Sequence, residues 1–203
     1  MLEKVTNFIV DYLDHSRNLD KTDSAYLNFG LKLIFITVSE LLVMFLIAYF
    51  LNIFWPVVIS TVSFLIIRPY AGGVHLPGYL SCLVVTLIVF LALGLLTTVV
   101  EINTISMLLI ILFVSIPGFY MINKYAPADT EIIPINDPEQ RKRLKSKAKN
   151  ILIIWTITAI TLTFILENYL NLILASSLGI LSQLISTHPI FFHLVKKYLP
   201  EHD

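Results

Sequence analysis

Several long stretches of this sequence contain almost no charged residue, and this feature limits the possible folds more than any other. The clearest run from Gly78 to Val100 and from Thr104 to Ile122. Each is close to the roughly 20 apolar residues with which a helix crosses the hydrocarbon core of a bilayer. Unbroken runs of this length exclude a membrane barrel, and lipid leaves helices as the other spanning structure. Only 14% of the residues are charged, whereas a soluble domain has roughly 25%. The sequence therefore predicts an all-α, polytopic integral membrane protein.

The apolar runs predict about six transmembrane helices in a single membrane domain that covers residues 1–203. Their approximate bounds are 31–51, 55–67, 78–100, 104–122, 151–166 and 172–187. The domain divides into a helix at 1–22, spans 1–4 within 23–123, a basic loop at 124–150, and spans 5–6 with the tail at 151–203.

The first segment has apolar residues at three- and four-residue spacing, for example Leu2, Val5 and Ile9, with polar residues between them. This pattern predicts an amphipathic helix. It lies on the membrane surface, or it packs on the cytoplasmic ends of the bundle; the two arrangements are compatible.

Charges are distributed unevenly along a chain whose net charge is zero. With the amino terminus inside, all 14 lysines and arginines fall on inside segments. The outside turns contain only Glu101 and Glu167 as charged residues. The positive-inside rule then predicts a multi-pass protein of the cell membrane with both termini in the cytoplasm. It also places the 68–82 stretch at the cytoplasmic face, where a thiol stays reduced.

The stretch RPYAGGVHLPGYLSC, residues 68–82, holds the only cysteine, Cys82, and a histidine seven residues earlier, His75. A lone thiol beside an imidazole is a candidate nucleophile and general base. The alternative is a cysteine that acts only as a small buried apolar residue. A single cysteine excludes an internal disulfide.

Helix geometry decides how these two side chains could meet. In one straight helix, seven residues would separate them by about 10 Å along the axis, too far for a hydrogen bond of about 3 Å. Pro77 favours a helix that begins there, which leaves His75 on a loop. Gly72 and Gly73 give that loop the freedom to fold the imidazole back onto Cys82. The preceding span, 55–67, is short, so either its helix continues past residue 68 or the loop dips into the membrane.

Other residues are candidates for supporting roles. We predict substrate contacts by Arg68, Gly72, Gly73, Arg141, Lys142 and Arg143, and orienting roles for Glu40 and Ser81. The basic run 141–149 could also contact an anionic lipid membrane. Asp137 before Pro138 predicts the start of a helix that continues through this run. The sequence has no HExxH, GxSxG or Walker A motif, so we predict no metal and no cofactor.

The order Arg68, Gly72-Gly73, His75 and Cys82, with the YAPADTE…PI segment at 125–135, resembles the accessory gene regulator B (AgrB) family. The resemblance implies a membrane cysteine endopeptidase of Gram-positive quorum sensing, with Cys82 as nucleophile and His75 as base. It would cut the acidic tail from a small precursor peptide through an acyl-enzyme thioester, and the peptide would close into a thiolactone or lactone ring. The resemblance further implies a homodimer, and no nucleic acid is expected as a partner.

Two other functions are compatible with the residues alone. In a small transporter, Glu40 would be the coupling carboxyl and Cys82 structural. A non-enzymatic scaffold would bind a partner peptide without using Cys82 or His75. Loss of function on Cys82→Ala separates the peptidase from both.

Overall fold

The described regular structure is helical throughout. A computed structural model describes residues 21–74, 76, 79–128, 135 and 137–198. The helices are α1 (Lys21–Phe50), α2 (Phe54–Ala71), α3 (Tyr79–Val99), α4 (Thr104–Tyr125), α5 (Pro138–Ile165), α6 (Leu170–Ser186) and α7 (Pro189–Tyr198), with a 3-10 turn at Glu167–Tyr169. The predicted all-α class is confirmed. The helix predicted at 1–22 falls almost entirely outside the described residues.

Five helices of the described chain, α2 to α6, are long and apolar enough to cross a membrane. The other predicted span corresponds to α1, whose apolar stretch Thr37–Phe50 is shorter. α2 continues past Arg68 to Ala71 although it contains Pro69, so the helical alternative for the short second span is correct. The last turn closes with a hydrogen bond from Gly72 N–H to the Arg68 carbonyl, 3.0 Å long.

Helix α5 begins where the capping pattern predicts. The Asp137 carboxylate accepts hydrogen bonds from the backbone N–H groups of Glu139 and Gln140, at 3.0 and 3.2 Å. Pro138 occupies the first helical position, where a missing N–H costs nothing. The basic run therefore belongs to the same rigid helix as the apolar fifth span.

Many large apolar side chains point outward, among them Ile88, Phe113 and Ile154, each more than 60% exposed. Such faces on several helices would promote aggregation in water. In lipid they are the ordinary surface of a spanning helix, because acyl chains are as apolar as leucine.

The chain divides into two compact units, Met1–Leu46 and Ile47–Asp203. In the described part of the first unit, Glu40 and Met44 are buried on one face of α1. The predicted single domain stays a prediction.

Within the second unit, α2 and α6 form the most extensive helix contact. Small residues permit it: a Cβ at Gly179 would overlap the backbone carbonyl of Ser60, and the hydroxyls of Ser63 and Ser176 are 2.8 Å apart. Close backbone approach and hydroxyl contacts are typical of helix pairs in membranes. The closely packed α2–α6 pair therefore supports the residues that follow the carboxyl end of each helix.

Candidate functional site

Two glycines end α2 in backbone conformations that other residues avoid. Gly72 has φ 70° and ψ −154°, and Gly73 has φ 136°. A Cβ at Gly72 would overlap the carbonyl of Ala128, and one at Gly73 would overlap the Arg68 guanidinium and the Ser186 hydroxyl. The pair is required both for the turn and for close contact with two neighbouring segments.

The first neighbouring segment follows α4. Gly72 and Ala128 form an isolated parallel β-bridge. The Ala128 N–H donates to the Ala71 carbonyl at 2.9 Å, and the Gly73 N–H donates to the Ala128 carbonyl at 3.0 Å. The end of α2 is therefore fixed to the chain that leaves α4.

The second neighbouring segment is the carboxyl end of α6. The Val74 N–H donates to the Ser186 carbonyl at 3.0 Å. The Gln183 side-chain amide, which is fully buried, donates to the Gly72 carbonyl. Buried backbone groups outside regular structure need such protein partners.

Arg68 joins these parts from inside the turn. Its Nη2 donates to the Val74 carbonyl at 2.6 Å, and its Nη1 donates to the Ser186 hydroxyl at 3.0 Å and to Gln183 Oε1 at 3.4 Å. The guanidinium carbon also lies 5.5 Å from the centre of the Phe64 ring. Arg68 thus donates three hydrogen bonds within the protein, while its predicted contact with substrate stays a prediction.

Cys82 is half-buried and is the fourth residue of α3. The thiolate is the form of a cysteine that acts as a nucleophile. The neighbouring Ser81 is half-buried as well, and its orienting role stays a prediction. His75 lies outside the described residues.

The basic residues 141–143 divide into two groups. Arg141 is half-buried and donates to the carbonyls of Pro127 and Ile135, both at 3.4 Å. Lys142 and Arg143 are exposed. Arg141 therefore holds the two ends of the 127–135 segment together, and its exposed neighbours are the cations that can meet a ligand. Their predicted substrate contacts stay predictions.

Glu40 is 7% exposed on α1, and its orienting role stays a prediction. In the described part of the chain, no group of three His, Cys, Asp or Glu side chains converges to hold a metal ion. Among the described residues, a guanidinium, an amide and a hydroxyl meet at the end of α2.

Sequence analysis missed Gln183, Ser186 and Ala128 as parts of this site. One signal was available for Gln183, since an amide inside an apolar span needs a polar partner. Ser186 and Ala128 carry no such signal, because their contributions depend on contacts distant in sequence.

The matches to known proteins cover nearly the whole chain. The family model "Accessory gene regulator B" matches residues 3–187. The chain is 35% identical over 181 residues to accessory gene regulator protein B of Staphylococcus aureus strain MW2, covering 89% of this chain and 91% of that protein. It is 33% identical over 182 residues to the protein of that name from strain Newman, covering 89% and 90%. A putative AgrB-like protein of Clostridium acetobutylicum is 27% identical over 162 residues, covering 80% of this chain and 75% of that protein. No solved structure matches the chain.

Proposed function

The chain belongs to the accessory gene regulator B family, and we propose that it is a membrane cysteine endopeptidase. Its substrate is a small precursor peptide of a quorum-sensing system, which it cuts before an acidic carboxyl-terminal tail and closes into a ring. One observation carries this proposal. The only thiol of the chain, Cys82, lies near the start of α3, and Arg68 donates a hydrogen bond to the carbonyl of Val74, the residue directly before His75.

In the first step, His75 takes the proton of the Cys82 thiol, and the sulfur attacks the backbone carbonyl that precedes the tail. The tetrahedral intermediate collapses as the C–N bond breaks. His75 returns the proton to the leaving amine, and the tail departs. The remaining peptide is then attached to Cys82 as a thioester.

In the second step, His75 takes the proton of a cysteine or serine side chain of the peptide, and that sulfur or oxygen attacks the same carbonyl. A new thioester or ester bond forms, the bond to Cys82 breaks, and the sulfur recovers its proton from His75. Exchange between two thioesters is close to balance, whereas conversion of the amide to the thioester is uphill. Removal of the released tail therefore drives the sequence, and exclusion of water protects the intermediate from hydrolysis.

The charge of the site suits such a substrate. Lys142 and Arg143 are exposed at the start of α5, and Lys147 lies 5.6 Å from the Tyr70 ring near the end of α2. Cations close to the Gly72 turn offer contacts to an acidic tail, and the same face can bind anionic lipid. We place this face in the cytoplasm of a multi-pass cell-membrane protein with both termini inside, and we propose a homodimer.

Mass spectrometry of the precursor peptide encoded beside the gene tests the proposal. The peptide is co-expressed with the wild-type protein, with Cys82→Ala, with His75→Ala and with the control His193→Ala, which alters an exposed histidine of α7. Membrane-inserted protein is quantified in each case. We expect tail cleavage by the wild type and the control, and an intact peptide with the other two variants. Cleavage by well-inserted Cys82→Ala would refute the proposal.

A further inference from the structure

We propose that Gln183 and Ser186, at the carboxyl end of α6, are positioning residues that hold Arg68 and the Gly72–Val74 turn in the geometry that peptide cleavage requires. The inference rests on the proposed peptidase function. It assigns to α6, which contributes no reacting group, the task of aligning the segment that leads to His75.

Gln183 makes two different contacts with one side chain. Its amide nitrogen donates to the Gly72 carbonyl, while its amide oxygen accepts from Arg68 Nη1. A neutral amide offers a donor and an acceptor together, which neither a carboxylate nor a lysine can do. Because the residue is fully buried, an unsatisfied amide would be costly there. The contacts therefore fix Gly72 and Arg68 relative to each other.

Ser186 also makes two contacts with the site, one turn further along α6. Its hydroxyl accepts from Arg68 at 3.0 Å while donating to the Gln183 carbonyl at 2.7 Å. Its backbone carbonyl accepts from the Val74 N–H at 3.0 Å. Two residues thus hold both ends of the Gly72–Val74 turn and one side of the guanidinium.

The catalytic pair of the proposed function follows the segment that these contacts hold. His75 comes directly after Val74 in the sequence, and Cys82 follows seven residues later. A displacement of about 1 Å at a reacting group can lower a rate by roughly 100-fold. Loosening α6 from the turn should therefore reduce the chemical step more than peptide binding.

Ser186→Ala is the sharpest test, because α6 offers a matched control. Ser177 is a buried serine of the same helix whose hydroxyl also donates to its own helix, to the Ile173 carbonyl at 2.9 Å. Ser177→Ala removes the same atoms without touching the turn. Both variants are purified in nanodiscs and assayed with the precursor peptide, and kcat is expressed per Cys82 thiol, as titrated by alkylation. The chain has one cysteine, so the titration counts this site alone.

We expect Ser186→Ala to lower kcat by about 10-fold with KM changed less than about twofold. Hydrogen exchange in a peptide covering 70–74 should become faster. Ser177→Ala should leave all three quantities at the wild-type level. Equal values for the two serine variants, or a rise in KM with kcat unchanged, would overturn the assignment.

Gln183→Leu provides a second measurement, with a larger expected loss of kcat and faster exchange over the same peptide. If this variant fails to insert, the comparison of Ser186→Ala with Ser177→Ala is by itself the test of the positioning role. Cys82→Ala is assayed in parallel. If it still cuts the peptide, the proposed function fails; if it does not and Ser186→Ala behaves as Ser177→Ala, only the positioning role fails.

Discussion

The two ends of the helical unit formed by residues 47–198 are built in different ways. At the basic end, the carboxyl ends of α2, α4 and α6 meet the start of α5. Contacts there join residues far apart in sequence: Gly72 with Gln183, Val74 with Ser186, and Lys145 with the Asn123 carbonyl at 3.1 Å. At the turn end, comprising residues 51–53, 100–103 and 166–169, the hydrogen bonds are local.

The local bonds of the turn end are caps and turn closures. Asn103 caps α4 by accepting from the Ser106 N–H at 2.9 Å. The Tyr169 N–H donates to the Leu166 carbonyl at 2.9 Å. These turns only reverse the chain, and each satisfies its own polar groups. At the basic end, polar side chains of distant residues instead hold irregular backbone, as Gln183 holds Gly72 and Arg68 holds Val74.

The largest effect should come from Gly72→Ala. The new Cβ would overlap the Ala128 carbonyl in a backbone conformation that is nearly glycine-specific. We expect peptide cleavage to fall by at least about 100-fold. Gly30→Ala is the control, since a Cβ there meets nothing. Comparable losses in both variants, measured per inserted protein, would contradict the special status of the basic end.

Arg68→Lys should have the next largest effect. The ammonium keeps the charge but cannot reach the Val74 carbonyl and the Ser186 hydroxyl with the planar fork of a guanidinium. We expect cleavage to fall by about 10-fold or more, with faster hydrogen exchange over 70–74. Lys124→Arg, an exposed charge-conserving change at the same end, should preserve both. Hydrogen exchange at the wild-type rate in Arg68→Lys would show that a positive charge without the planar fork is enough to hold the turn.

Arg141→Ala tests whether Arg141 holds the two ends of the 127–135 segment together or instead serves to bind a ligand. Loss of its bonds to the Pro127 and Ile135 carbonyls should speed hydrogen exchange over residues 121–128 about threefold or more, since an opening of about 0.7 kcal/mol suffices. Lys142→Ala should leave that exchange unchanged, because the Lys142 side chain is exposed. Identical hydrogen exchange in the two variants would show that Arg141 does not hold this segment.

The smallest effects should come from the two helix caps, which share one chemistry at opposite ends. Asn103→Ala and Asp137→Ala should each cost about 1 kcal/mol of stability. Thermal unfolding in detergent should report similar losses for both. Only Asp137→Ala should also slow cleavage, by about twofold, because its helix start holds Arg141. Slower cleavage by Asn103→Ala would contradict the expected difference between the turn end and the basic end.

Much of the fold is visible in the sequence. Long apolar runs fix the helices, because lipid offers no other partners for the backbone. The Asp137-Pro138 cap and the Gly72-Gly73 break are readable because they depend on local backbone chemistry. The lone thiol, Cys82, is visible because it is unique. Each of these features involves residues close together along the chain.

Tertiary structure decided how the site is held. It carried α2 past Pro69, separated Arg141 from its exposed neighbours, and brought Gln183 and Ser186 to the turn at Gly72. The serine is one of several on α6, and only packing distinguishes it from Ser177. Hydrogen bonds between residues more than 100 positions apart depend on which helix faces meet, and in lipid that choice rests on small residues and shape. Sequence periodicity records which residues share a face, while the partner of that face is fixed only by the packed bundle.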